Sequence, residues 1–310
     1  MRHRVGFVLV AFLLAASVLA LPFVVVSMIG DLRTSTELID LTPPGVEAAD
    51  SYTYVRLDVL SIDDVNGIAD LRVSGNHICS GCGRRERITF YSISNTEGGP
   101  QANGVPPAVT VTLPDTADTL TQSVQLPIHG NLIAYPFDRH RLWLGVTMER
   151  LNANGSVETL SPTEAHSHLV LQLRNGAARM DMAAPRPLSA ESVQPGRARV
   201  PYADVFALEF NRPAYLQFIV PVTIALVTAA AFYAVALRPF NELIINSGAL
   251  VLGVWGIRSL LLGSYPPNTT TVDGVLTLLI VLVLIVISAR ALRHMHDQAG
   301  LKLLPGSRKV

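Results

Sequence analysis

The sequence predicts four transmembrane helices, arranged one plus three, and an extracytoplasmic antiparallel β-sandwich between the first helix and the rest. Three observations predict this fold class. Hydrophobic residues make up 49% of the 310 residues and charged ones only 15%, with a mean hydropathy of +0.37; soluble proteins carry roughly 25% charged residues. The apolar residues gather into four long runs. The polar block between the first run and the second alternates with the period of half-buried strands. With acids and bases equal at 24 each, the composition argues against an ordinary soluble enzyme, a disordered chain and a nucleic-acid binder with a basic surface.

The first run, Gly6 to Ile29, is uncharged and follows Arg2-His3-Arg4. Cleavage after Ala20 would make it a signal peptide, but apolar sequence continues through Pro22–Val26. That exceeds the usual h-region of about 7–15 residues and favours an uncleaved anchor. The other runs are Ala214–Leu237, Leu243–Gly263 and Val275–Ala289, the last extended by Ala291 and Leu292 past a snorkelling Arg290. A helix of about 20 residues crosses the hydrocarbon layer. The expected domains are a 1–30 anchor, a 31–212 β-domain, a 213–293 three-helix domain and a 294–310 basic tail.

Charge orients them. With the N-terminus inside, Arg238, Arg290, Arg293, Lys302, Arg308 and Lys309 are inside too, and the outer loop Ser264–Gly274 has no Lys or Arg. This satisfies the positive-inside rule. It predicts a multi-pass plasma-membrane protein with both termini cytoplasmic and residues 31–212 outside.

In the polar block, Val55, Leu57 and Val59 share one face of an alternating run, and Arg87–Ile93 and Ala108–Leu113 alternate likewise. Further candidate strands are Ile68–Ser74, Thr121–Leu126, Leu142–Met148, Leu169–Leu173 and Val205–Phe210. Some eight short strands separated by turn residues predict a sandwich or barrel. Asp40–Asp50 and the Pro-rich Ala177–Pro201 are expected as connections, and His166-Ser167-His168 as a surface loop in extended conformation. The last strand runs through Arg212-Pro213 into a helix, and Pro suits a helix start.

Tyr135-Pro136-Phe137-Asp138 is the most distinctive stretch. Its residue types suit a strand-to-strand turn, with Phe137 plugging the core and Asp138 accepting backbone hydrogen bonds; His140, between Arg139 and Arg141, is expected at the surface. The tetrapeptide resembles the Pro-loop of pentameric ligand-gated ion channels. In those channels too a β-sandwich precedes an Arg-Pro at the first membrane helix, although four helices follow it and only three do here. Nearly the whole chain is similar to an uncharacterised integral-membrane family, a domain of unknown function. That family has one N-terminal helix, an extracytoplasmic domain with a Tyr-Pro-Phe-Asp motif and three C-terminal helices. Its Arg, Gly, Pro-Pro, Asp pattern is similar to Arg258, Gly263, Pro266-Pro267 and Asp273. The resemblance implies a layout and brings no activity, ligand or catalytic residue.

Arg258 is the one charge inside an expected span, and a hairpin would bring it to Asp273 at the start of the next. A structural ion pair is favoured over an ion pathway. Cys79-Ser80-Gly81-Cys82 contains the only two cysteines. Outside the cell a local disulfide is the first reading. A zinc knuckle with His77 is the second, one ligand short of a tetrahedral site, and a redox pair the third.

With no phosphate loop, nucleophile elbow or zinc-protease motif, the sequence predicts no catalysis and no cofactor. The expected partners are the bilayer, an unknown protein or small molecule outside the cell and further copies of the chain, but no nucleic acid. Binding, sensing or scaffolding is the expected function. The alternatives are a channel-like oligomeric subunit and an extracytoplasmic thiol or zinc protein using Cys79 and Cys82.

Overall fold

The computed structural model describes residues 22–30, 37–43, 51–78, 85–93, 106–114, 119–152, 154–189, 193, 200–237, 248, 251–259 and 270–302. The chain divides into two units. One comprises Ser27–Leu132 and Phe137–Pro213; the other comprises Met1–Val26, Ile133–Pro136 and Ala214–Val310.

The first unit is built from two sheets. The five-stranded sheet contains β1 (Leu38–Asp40), β2 (Tyr52–Asp63), β3 (Ile68–Ile78), β6 (Leu120–Pro127) and β10 (Leu169–Asn175), in the order β1-β10-β2-β3-β6. The eight-stranded sheet has the path β11-β13-β8-β4-β5, formed by β4 (Arg85–Ile93), β5 (Ala108–Leu113), β8 (Arg139–Leu151), β11 (Asp181–Met182) and β13 (Asp204–Asn211). Off that path, β7 (His129–Gly130) and β9 (Val157–Thr159) pair with β8, and β12 (Arg186–Pro187) pairs with β13.

Alternation along each strand accounts for the core. Val55, Leu57 and Val59 of β2 are fully buried, as are Leu142, Leu144 and Val146 of β8 and Leu173 of β10. Phe90 and Phe210 fill the centre between them. Each such side chain contributes about 1.5–3 kcal/mol by leaving water. A register shift opposite β3 between Val59 and Ser61 interrupts the alternation, so that Leu60 and Ser61 are both exposed and Ser61 stands opposite Asp70.

Three expectations are corrected. Not all pairing is antiparallel: β10 lies parallel to β2, with Leu169 opposite Thr53 and Asn175 opposite Val59. The stretch Ala177–Pro201 is not simply a connection, because β11 and β12 within it pair with β13. Prolines are tolerated there because these short strands lie at a sheet edge. His166-Ser167-His168 ends a short helix, α1 (Pro162–His168), rather than lying in an extended loop. Ser161 caps it, accepting from the Glu164 backbone N–H while the Glu164 side chain bonds back to Ser161. Pro162 occupies the first turn, where its missing N–H costs nothing.

The second unit contains α2 (Ala214–Leu237) and α3 (Thr271–Lys302). Both are long and apolar enough to cross a membrane, over Ala214–Val235 and Thr271–His296. Few of their side chains are buried, and Phe232, Leu278 and Ile285 are among the apolar ones left exposed. Residues 22–30 and 251–259, from the first and third apolar runs, are also helical. Val220, Ala231 and Val235 of α2 form a buried cluster with Val254, with Val272, Leu276, Leu279 and Val283 of α3, and with Tyr135. Phe23 meets Phe218 edge-on, with ring centroids 5.9 Å apart.

Candidate functional site

The Tyr135–Asp138 motif is where the chain passes between the two units. Tyr135 and Pro136 are joined by a cis peptide bond. Tyr135 is buried in the helix cluster, whereas Phe137 is 57% exposed, so the expectation that Phe137 plugs a core is corrected. Within the helical unit, Thr271 Oγ1 donates to the carbonyl of Ile133 at 2.5 Å.

Asp138 is also corrected. Its carboxylate binds side chains, not turn backbone, and is only 1% exposed. Arg212, directly after β13, donates through Nε to Oδ1 at 3.1 Å and to Oδ2 at 3.0 Å. Asp64, in the turn between β2 and β3, accepts a further bond from Nη2 of Arg212. His140 completes the group and is buried at 2% exposure, contrary to its expected surface position. Arg139 and Arg141 point out of β8 and His140 points in, as the pleat requires. Its Nε2 lies 2.9 Å from Asp138 Oδ2 and 3.3 Å from Asp64 Oδ1. Between two carboxylate oxygens, that nitrogen has to carry the proton. The imidazole rests on Gly130, where a Cβ would stand 2.0 Å from Nδ1.

This is a four-member polar network drawn from three parts of the sandwich chain, with Arg212 and two carboxylates as its ionic core. Burial pulls the Asp138 carboxyl upward, but bonds from His140 and Arg212 outweigh it and hold it below the usual carboxylate range. Burial pulls Arg212 downward, and Asp138 and Asp64 more than reverse this. Asp64, Asp138 and His140 place ligand-capable atoms within 4.8 Å of one another. The Arg212 guanidinium already sits on both carboxylates, however, so a cation there would meet a fixed positive charge. The arrangement suits an internal clamp, not a metal centre.

Arg258 and Asp273 are brought together: Arg258 Nε donates to Asp273 Oδ1 at 2.5 Å. The guanidinium also lies over the Trp255 ring, 5.2 Å from its centroid. Asp273 Oδ2 accepts from the backbone N–H and the hydroxyl of Thr270, each at 3.0 Å, which caps the start of α3. Arg290 donates to the carbonyl of Val235.

Cys79 and Cys82 lie outside the described residues. His77 is buried, and its Nδ1 lies 2.8 Å from Thr53 Oγ1, which in turn bonds Glu86. A second pair, missed from sequence, joins His166 of α1 to Asp204 of β13 at 2.8 Å. Burial raises the Asp204 carboxyl above its ordinary value, with His166 opposing.

The chain matches no protein-family model and no curated protein at a significant level.

Proposed function

We propose that the chain is a multi-pass plasma-membrane protein that holds its β-sandwich outside the cell and binds or senses a ligand there, without catalysis. One observation carries this reading. The end of β13 is clamped by Arg212 onto Asp138 and Asp64, and a single residue later α2 begins, apolar on all sides. A helix that is apolar all round and largely exposed suits lipid. Only Pro213 separates the clamped residue from the first residue of the helix. The distribution of Lys and Arg supports cytoplasmic termini, and the remaining apolar runs supply a total of four crossings. Copies of the chain can associate through the exposed helix faces.

Protease added to intact cells tests the reading. Cleavage confined to residues 31–212, with a C-terminal epitope protected, is the expected result. Cleavage of the C-terminal tail with the sandwich protected would overturn it. A ring of five in detergent, together with ion flux in liposomes, would replace binding with the channel-like alternative.

A further inference from the structure

The outer face of the five-stranded sheet carries a cluster that none of the preceding chemistry uses. Asp58 of β2 is 3% exposed, an unusual position for a carboxylate on the solvent face of a strand. Three arginines from three adjacent strands surround it. Arg56 of β2 donates through Nε to Oδ1 at 2.9 Å. Arg72 of β3 donates to Oδ2 through Nη2 at 3.1 Å and Nε at 3.4 Å. Arg174 of β10 brings its Nε to 2.7 Å from Oδ1. Strand register dictates this meeting: Asp58 stands opposite Arg174 on one side and Arg72 on the other.

Beside the cluster is a concavity of about 240 Å³ lined by Arg56, Asp58, Arg72, Ser74 and Thr121. Arg174 is not in its wall. The wall itself sets two arginines against one carboxylate, and Arg174 makes the whole cluster three positive charges against one. Arg56 and Arg72 bond Asp58 through one part of each guanidinium, which fixes the orientation of the other N–H groups. Ser74 and Thr121, opposite each other on β3 and β6, add two hydroxyls. Two further acids on the same sheet, Asp70 and Asp40, lie outside the wall and keep their charge, their partners being neutral donors. Asp70 accepts from Ser61 and Gln125, each at 2.7 Å, and Asp40 accepts from the Thr42 backbone N–H at 2.9 Å.

We propose that this concavity binds a small oxyanion of the phosphate or phosphate-monoester class, with Arg56 and Arg72 as the charged ligands, Ser74 and Thr121 as hydroxyl donors, and Asp58 as the residue that positions the guanidinia. The volume is below the roughly 300–1,000 Å³ of drug-sized sites, so it accepts the anionic group and leaves any larger body outside. Forked guanidinium donors match the oxygens of such a group. The Asp58 carboxyl remains ionised: burial pulls it upward, but bonds from Arg72 and Arg56 and the charge of Arg174 hold it below its ordinary range. This gives the binding reading a ligand class, yet the pocket belongs to the sandwich alone and does not depend on which side of the membrane it faces.

The test uses the full chain in phosphatidylcholine nanodiscs, titrated calorimetrically with inorganic phosphate at neutral pH, with malonate as a dicarboxylate control. Saturable phosphate binding is expected. Arg72→Gln should weaken it by about tenfold or more, the loss of a charge-assisted hydrogen bond. Thr121→Val should weaken it less, and Arg139→Gln on the other sheet should leave it unchanged. Absence of saturation by about 10 mM, ten times the concentration of a millimolar site, would overturn the proposal. So would phosphate binding indifferent to both Arg72→Gln and Thr121→Val, or binding of malonate but not phosphate. Protease topology is a separate measurement, so either reading can fail without the other.

Discussion

Replacing Asp138 by Asn keeps the shape of the side chain and removes its charge, in a position where the side chain is wholly buried. Arg212 then loses the partner that takes both hydrogen bonds from its Nε, and His140 loses the closer of its two carboxylates. Breaking a buried ion pair by removing one partner costs about 3–5 kcal/mol. Asp64 still holds Arg212 through Nη2, so the lower end, about 3 kcal/mol, is expected. In a domain of this size each kcal/mol moves the midpoint by roughly 2–4 °C, so the sandwich should melt about 6–12 °C earlier. The assay is thermal unfolding of the full chain in nanodiscs followed by near-ultraviolet circular dichroism. Adding Arg212→Met to Asp138→Asn should cost less than the two changes summed, by about 0.5–3 kcal/mol, because the second removes a charge the first has stranded. An Asp138→Asn midpoint matching the unsubstituted protein, or strict additivity in the double variant, would show that the network bears no energy and that the clamp argument fails.

Other outcomes follow from the same contacts. Gly130→Ala should cost about 1–3 kcal/mol by forcing His140 off its seat, measured by chemical denaturation; Gly145→Ala, whose Cβ would lie 2.7 Å from Tyr202 Cε1, should behave alike. Asp138 and Asp58 titrate below their unfolded value of 3.8. The unfolded chain therefore takes up more protons as pH falls below neutral, and the stability these groups contribute is lost as pH drops through their folded values. Denaturation midpoints from neutral to strongly acidic pH should fall less steeply in Asp138→Asn than in the unsubstituted protein. Asp204 has the opposite sign: its folded pKa is raised, so its environment penalises the charge as pH rises past 3.8. Asp204→Asn should therefore leave the midpoint at neutral pH unchanged or higher. Arg258→Leu and Asp273→Ala should each lower the yield of folded protein from membranes, and exchanging the two charges should partly restore it; normal yield from both single variants would refute an energetic role for the pair.

Much of the sandwich was legible because its strands obey a period of two. The Val55, Leu57, Val59 face and the limits of Ala108–Leu113 emerged from alternation alone. The same rule would have placed His140 inward, on the face of Leu142 and Leu144, had the flanking arginines not drawn attention to local charge. Helix α1 also left a signal, since Ser161-Pro162-Thr163-Glu164 is a capping box with Pro in the first turn. The Arg258–Asp273 contact was readable because the two residues lie only 15 apart in the sequence, near the facing ends of successive apolar runs. The network around Asp138 was not, because Arg212 lies 74 residues from Asp138 and 148 from Asp64. Only sheet register brings such residues together, and no local period encodes it. For the same reason the gathering of Arg56, Arg72 and Arg174 on Asp58 is invisible until β10 is known to lie beside β2.

The insertion of β10 between β1 and β2 also imposes an order on biogenesis. As the polypeptide emerges from its N-terminal end, β2, β3 and β6 can zip together, but β1 has no mate until residues 169–175 have been made. Until then β2 presents a naked row of amide and carbonyl groups along one border, the kind of surface that captures stray strands. A chain stalled or nicked before Leu169 is left with that border open, so quality control during synthesis should act most strongly on fragments ending in this interval.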